Sequence, residues 1–338
     1  TALLGAGADV NVADREKGKT ALMHAINSLS TGDVKIMYAL LRVPGVNTNV
    51  VAKDGSTAIS LAVQMGNTDA VNVLLKVGAT PNATHGKSGI TLLMLAVKSS
   101  NNVMIRTLLE AKADVNAADY TNGFTALMLA ARQGNTAAVT ALLDNHANRD
   151  AVDHKEGKTA LMHAIKKHST GRIYPKEIVT VLLAAGDVNI AEKDGHTALL
   201  LAAQKGNAEA VAVLLKAKAD PAAAEMLKGM TALMYSARLG NIETANSLLA
   251  NDADINATTK DGTTALIIAA KKGHQSVVQL FLNNGADVHA GAPLPNFVQR
   301  MFSSGTAKTA EEYARDKDHM QVVDLFKRFR QDGYAQEL

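Results

Sequence analysis

A threonine-led helix start recurs along this chain at near-constant spacing, and that recurrence limits the fold more than any other feature. It reads Thr20-Ala-Leu-Met, Thr57-Ala-Ile-Ser, Thr91-Leu-Leu-Met, Thr125-Ala-Leu-Met, Thr159-Ala-Leu-Met, Thr197-Ala-Leu-Leu, Thr231-Ala-Leu-Met and Thr264-Ala-Leu-Ile. The steps are 37, 34, 34, 34, 38, 34 and 33 residues. A divergent ninth start is Thr309-Ala-Glu-Glu. Between starts the parts are constant. A first short helix ends near Gly66-Asn67, Gly134-Asn135, Gly206-Asn207 or Gly240-Asn241. A second carries leucine pairs such as Leu74-Leu75, Leu142-Leu143 and Leu214-Leu215. Then comes Gly-Ala-Asp-Val-Asn or a relative, as from Gly7 to Asn11, and a polar turn with glycine leads to the next Thr.

Each part has a physical reason. Thr can cap a helix by accepting an N–H from its first turn. Glycine tolerates the positive φ of a tight turn. Apolar residues at helical spacing give each helix pair a sticky face on both sides. One pair cannot bury both faces, so the units must stack. A chain of 338 residues would otherwise suggest two or three globular domains. With 47% hydrophobic residues but only 4% aromatic and no Trp, Ala and Leu must fill the interior.

A period near 33 residues opened by Thr-x-Leu-x-x-Ala resembles the ankyrin-repeat family, whose signature is T-P-L-H-x-A. The resemblance covers nearly the whole chain. Ala replaces Pro in nearly every unit and Met replaces His in most, a variant similar to that of bacterial ankyrin proteins. It implies an all-α ankyrin-repeat solenoid of helix–turn–helix units with β-hairpin-like turns. About eight full repeats and a divergent C-terminal capping repeat are expected. It also implies binding of folded protein partners through turn tips and the exposed side of the first helices, which line a concave surface.

A longer period is superposed. Gly18 to Ile26 reappears letter for letter at Gly157 to Ile165, Ser30 to Gly32 at Ser169 to Gly171, and Lys53 to Gly55 at Lys193 to Gly195. The chain reads as a duplicated four-repeat block: 1–139, then 140–290, then an enlarged loop and cap over 291–338, in one continuous solenoid. Both halves carry an extended connection, 27–35 and 166–177. Residues 291–306 form the loop, and Val322, Val323, Leu325, Phe326 and Phe329 supply the closing helix. Thr1-Ala-Leu-Leu reads as the end of a helix already under way, so helical residues are expected before it. Two readings of the duplication stay open. It is either a fossil of growth by copying, or a pair of equivalent docking surfaces roughly 40 Å apart, at ~10 Å per stacked layer.

Catalytic motifs are missing. There is no Cys, which excludes disulfides, thiolate metal sites and Cys nucleophiles. Gly-Lys-Thr at 18–20 and 157–159 lacks the upstream glycine of a phosphate loop, with Ala13 and Val152 in its place. His24 and His163 repeat at equivalent positions but stand alone as ligands, and carboxylates such as Asp14 and Glu16 lie on turns. The expectation is a non-enzyme with no cofactor, no metal and no small-molecule substrate. A net charge of +3 lacks the dense basic stripe of a nucleic-acid binder. No apolar run approaches the ~20 residues that span a bilayer, so no membrane insertion is expected.

Turn tips should be polar, and some here are not. Tyr120 and Phe124 flank one turn, and Met226, Leu227 and Met230 another. Tyr235 and Arg238 follow on the adjoining first helix, as His24 and Arg132 do on theirs. These residues and Arg15 are the candidate protein-binding set. Phe124 and Met230 directly precede a Thr and are equally readable as packing onto the neighbouring turn. Arg15, Lys17, Lys155, Lys166 and Lys167 sit at comparable edges of the two halves, as a basic rim or simply a solvated face. The function expected is a protein-binding module that inhibits a folded bacterial enzyme, in the manner of immunity proteins acting on exported cell-wall hydrolases. The alternative is a scaffold fragment of a larger protein such as a secreted effector. The compartment expected is periplasmic or exported, with cytoplasm as the alternative.

Overall fold

The computed structural model describes residues 8–28, 35–167, 176–292 and 308–336. The helix end expected at residues 1–4, most of the connections 27–35 and 166–177, and nearly all of the loop 291–306 fall outside them. The chain divides into two compact units, Thr1–Ala164 and Ile165–Leu338. This is a division of packing, whereas the duplicated block is a statement about sequence.

Every Thr-led start opens a helix at the next residue. The first helices are Ala21–Asn27, Ala58–Gln64, Leu92–Lys98, Ala126–Gln133, Ala160–Lys167, Ala198–Gln204, Ala232–Leu239, Ala265–Lys272 and Ala310–Asp316. Their second helices are Lys35–Leu41, Thr68–Lys76, Asn102–Glu110, Thr136–Asp144, Lys176–Leu183, Ala208–Lys216, Ile242–Leu249, Gln275–Asn283 and Met320–Gln336. Among the described residues, strands are confined to two short antiparallel pairs, Thr84–His85 with Ile90–Thr91 and Gly291–Ala292 with Lys308–Thr309.

The caps explain the recurring letters. Thr125 is extended and its Oγ1 accepts the Met128 N–H at 3.3 Å, near the limit for such a bond. The same residue bridges to Ala118, so it closes the hairpin as well as opening the helix. Gly134 then ends the first helix at φ +79°, and Asn135 Oδ1 accepts the Ala138 N–H at 3.0 Å to start the second. The Gly-Asn pair is thus a C-cap followed by an N-cap.

Where the Gly-Ala-Asp-Val-Asn segment keeps its final Asn, that residue ties one repeat to the next; Asp150 and Ala222, for example, replace it in two repeats. Asn11 Oδ1 accepts from Asn47 N at 2.7 Å, and Asn82 Oδ1 from Asp114 N at 2.7 Å. In the second unit, Asn189 Oδ1 accepts from Asp220 N at 2.8 Å and Asn256 Oδ1 from Asp287 N at 2.8 Å. In each unit first helices pack on successive first helices and second on second. The core between them is mostly Ala, Leu, Val and Met, with Leu74, Met94, Ile105 and Phe281 fully buried. This is the all-α repeat architecture expected. The last repeat carries a Thr309–Glu312 capping box, and Val322, Val323 and Phe326 are buried beneath the final helix while Phe329 is exposed.

Candidate protein-binding face

Several hairpins are held by their own carboxylate, although the one between Thr84 and Thr91 has none. Asp119 Oδ1 accepts from Thr121 N at 2.9 Å and Asn122 N at 2.7 Å. Asp153 Oδ1 accepts from Glu156 N at 2.7 Å, and Glu225 takes the Leu227 and Lys228 N–H groups at 2.7 and 2.8 Å. Burial pushes these three carboxyls up, but the donors outweigh it and leave their pKa values below the ordinary range. Asp14 is well below its ordinary value too, held there chiefly by the Lys17 N–H and His24. The turn carboxylates are therefore structural, charged and occupied.

The tips are also zipped to one another. Lys53 N donates to Lys17 O at 3.0 Å, Tyr120 N to Ser88 O at 2.9 Å and His154 N to Asn122 O at 2.7 Å. In the second unit Met226 N donates to Asp194 O and Lys260 N to Lys228 O, both at 2.8 Å. The side chain at this position lies on the glycine of the preceding tip. A Cβ built on Gly89 would stand 2.3 Å from the Tyr120 ring, and one on Gly195 2.8 Å from Met226 Cγ. Tyr120 and Met226 thus pack locally and still keep most of their surface, 72% and 63% exposed. Leu227 is 77% exposed. It edges a cavity of about 360 Å³ whose wall includes Met230, Thr263 and Ile268.

Burial corrects the expected position of two candidates. Met230 is 8% exposed and Tyr235 only 3%, so neither side chain stands in solvent as an anchor. Tyr235 is the fourth residue after Thr231, the position of Leu61 and Leu201 in other repeats, which are buried too. Its hydroxyl meets His196 Nε2 at 3.1 Å, which lets a tyrosine fill a leucine's place, and burial raises its pKa. Arg238 is exposed and lies over the Tyr235 ring at 4.7 Å. The first unit has a parallel: half-buried Phe124 stands 4.8 Å from the His163 ring, with exposed Arg132 5.6 Å above it. Phe124 and Met230 therefore support the face from beneath.

His24 and His163 each meet a carboxylate ten residues earlier, Asp14 at 3.0 Å and Asp153 at 2.8 Å. In the first pair His24 is exposed and Asp14 half-buried; the second pair is buried. Burial pushes the His163 pKa down despite its partner, so a neutral imidazole donates to an ionised Asp153. Arg15, Lys17 and Lys155 are exposed; Arg15 O accepts from Lys53 Nζ at 2.6 Å. The side chains of Lys166 and Lys167 lie outside the described residues. The structure groups Phe124 with Arg132, Tyr235 with Arg238, and Met226 with Leu227; Tyr120 shares a hairpin with Phe124.

Among the described residues, the one group with metal-ligand character is Glu192, Asp194 and His196, whose donor atoms lie within 4.8 Å of one another. They are engaged among themselves: His196 Nδ1 is 3.0 Å from Asp194 and 3.6 Å from Glu192, and its Nε2 meets Tyr235. Among the described residues no helix is long and apolar enough to cross a membrane.

Sequence reasoning missed the Leu227 cavity and the burial of Tyr235. The Leu at the equivalent position of other repeats was the available signal for the second. Among curated proteins nothing matches the chain. The family model described as ankyrin repeats, in three copies, matches overlapping segments at residues 1–85, 29–119, 93–189, 174–259, 226–292 and 244–326. Repeats of this kind form protein–protein interaction modules that are typically non-enzymatic. With a helix pair per period, zipped hairpins and that match along nearly its full length, the chain belongs to the ankyrin-repeat family.

Proposed function

We propose that the chain binds a folded protein through its hairpin tips and first helices, without catalysis of its own. The observation that carries this reading is the exposure of Tyr120, Met226 and Leu227 on tips already fixed by backbone hydrogen bonds. Large apolar side chains at a turn tip cost solubility and suit interface anchors. Because the tips are preformed, little ordering entropy opposes binding. A preformed surface of this sort favours inhibition: the partner is an enzyme whose site is covered, such as an exported peptidoglycan hydrolase of the same bacterial cell.

The two halves dock differently in this proposal. The position of Tyr120 in the duplicated block is Lys260, and that of Met226 is Gly86. The apolar anchors are not copied, so a second partner would meet a different surface from the first.

Affinity capture from a native extract, with the eluate identified by mass spectrometry and assayed, tests the proposal. One enriched enzyme that loses activity as the complex forms supports inhibition. An enriched partner with unchanged activity leaves binding and removes inhibition. No saturable partner at all contradicts the reading.

A further inference from the structure

Charge on the first helices has one sign until the last repeat, whose first helix Ala310–Asp316 carries Glu311, Glu312 and Asp316 beside Arg315. In the eight first helices from Ala21–Asn27 to Ala265–Lys272, the Lys and Arg residues are Lys98, Arg132, the Lys166–Lys167 pair, Arg238 and the Lys271–Lys272 pair. No Asp or Glu occurs in them, although the chain carries 35 Lys+Arg and 32 Asp+Glu. The acids of the helical layers sit on the second helices instead, as Asp69, Glu110, Asp144, Glu177, Glu209 and Glu243.

The pattern sharpens at the seventh residue after each of the first eight Thr starts; only after Thr309 is that residue an acid, Asp316. In the first unit this is Asn27, Gln64, Lys98 and Arg132, all exposed; in the second it includes half-buried Gln204 and exposed Arg238 and Lys271. Every one can donate an N–H and none is an acceptor-only carboxylate. Successive helices pack about 10 Å apart, so each unit offers a row of donors at that interval.

Favourable interaction with the helix dipole does not account for it. Cations suit the C-terminal turn of any helix, yet the second helices are mixed: Thr68–Lys76 and Ala208–Lys216 end on lysine, Asn102–Glu110 and Thr136–Asp144 on acids, whereas none of the eight first helices ends on an acid. Nor are these cations consumed within the fold. Among the described residues, Lys98, Arg132, Arg238 and Lys271 form no salt bridge with a carboxylate. Three of the four are placed over aromatic rings: Arg132 on Phe124, Arg238 on Tyr235, and Lys271 on Tyr313 at 5.1 Å. A cation held in this way loses less freedom on binding.

We infer that the partner presents an acidic protein surface, its carboxylates meeting the C-terminal ends of the first helices while its apolar residues meet the tips. This deepens, and rests on, the reading of that face as a protein-binding surface. A protein fits better than a nucleic acid. The donor row is interrupted by neutral Asn27, Gln64 and Gln204, and exposed Asp54, Asp194 and Asp261 on the tips would repel a uniformly charged polyphosphate, whereas a protein can set carboxylates against the first helices and apolar residues against the tips.

The test uses the whole chain and three forms of it: native, Lys98→Glu/Arg132→Glu on first helices, and Lys76→Glu/Arg106→Glu on second helices. All four positions are exposed, and circular dichroism confirms the fold of each. The probes are a polyglutamate peptide and a polythymidine strand, each of ~20 units, measured by fluorescence anisotropy at about 0.05 and about 0.3 M salt. The inference expects polyglutamate to bind, to weaken at least about tenfold in the first-helix variant, and to be unaffected by the second-helix reversal. It expects weaker binding at higher salt. No polyglutamate binding, or equal loss in both variants, overturns it; tighter binding of polythymidine overturns it in favour of nucleic acid. The captured partner separates the two levels of the argument. If Tyr120→Ser/Leu227→Ser releases it and Lys98→Glu/Arg132→Glu does not, the face stands and the acidic partner falls. If neither releases it, both fall.

Discussion

His24 and His163 occupy the same place in two copies of one nine-residue string, yet only His163 is buried. In the folded chain both His163 and Asp153 lie below their ordinary values, ~6.5 and ~3.9 when unfolded. The sign follows: the stability each contributes is present above its unfolded value and is lost as pH falls towards its folded one. Leu stands at the position of His163 in four other repeats, as Leu61, Leu95, Leu129 and Leu201. His163→Leu should therefore fold and should reduce the loss of thermal stability between about pH 6.5 and pH 5. Half-buried His85, also pushed down by desolvation, supplies part of the remaining slope. Melting curves from neutral to acid pH check this; an unchanged slope contradicts it. Glycine at the tips gives a second prediction. Gly86 and Gly89 both have positive φ, +72° and +68°, but only Gly89 faces a neighbour, the Tyr120 ring. Gly86→Ala should cost about 1–2 kcal/mol of backbone strain. Gly89→Ala should cost more and change the environment of Tyr120, read by urea denaturation and tyrosine fluorescence. Equal losses would mean that the ring yields freely.

Helix starts were the most legible elements, because a cap is a local device: as a cap, each Thr acts within three residues of itself. What it left hidden was the partner of each Asn, since Asn82 with Asp114 is a contact between repeats. Tyr235 was hidden for the same reason, its hydroxyl partner being His196, 39 residues away. The caps differ in strength. Asn207 Oδ1 accepts from Ala210 N at 2.9 Å, whereas Thr197 Oγ1 takes Leu200 N at 3.4 Å. Asn207→Ala should lower stability by about 1 kcal/mol, and Thr197→Val by less. A lower urea midpoint for Thr197→Val than for Asn207→Ala would reverse that order and assign the threonine a larger role in closing its hairpin.

At the scale of the whole molecule, repetition made the fold readable and the binding face only partly so. A period shows which positions recur, and the core must recur with it; a partner is met by the positions that break the pattern. Tyr120, Met226 and Leu227 break it at hairpin tips, and the structure leaves them exposed. Phe124, Met230 and Tyr235 also break it, but the fold uses them inside itself. The central claim concerns which side of the repeats binds. The captured partner should be titrated calorimetrically with the native chain, with Tyr120→Ser/Leu227→Ser on the tips, and with Val103→Ser/Ile242→Ser on second helices, where both residues are likewise exposed. The account predicts at least about a tenfold loss of affinity for the tip variant and less than about a twofold change for the second-helix variant. A loss confined to the second-helix variant would place the binding face on the opposite side and contradict it.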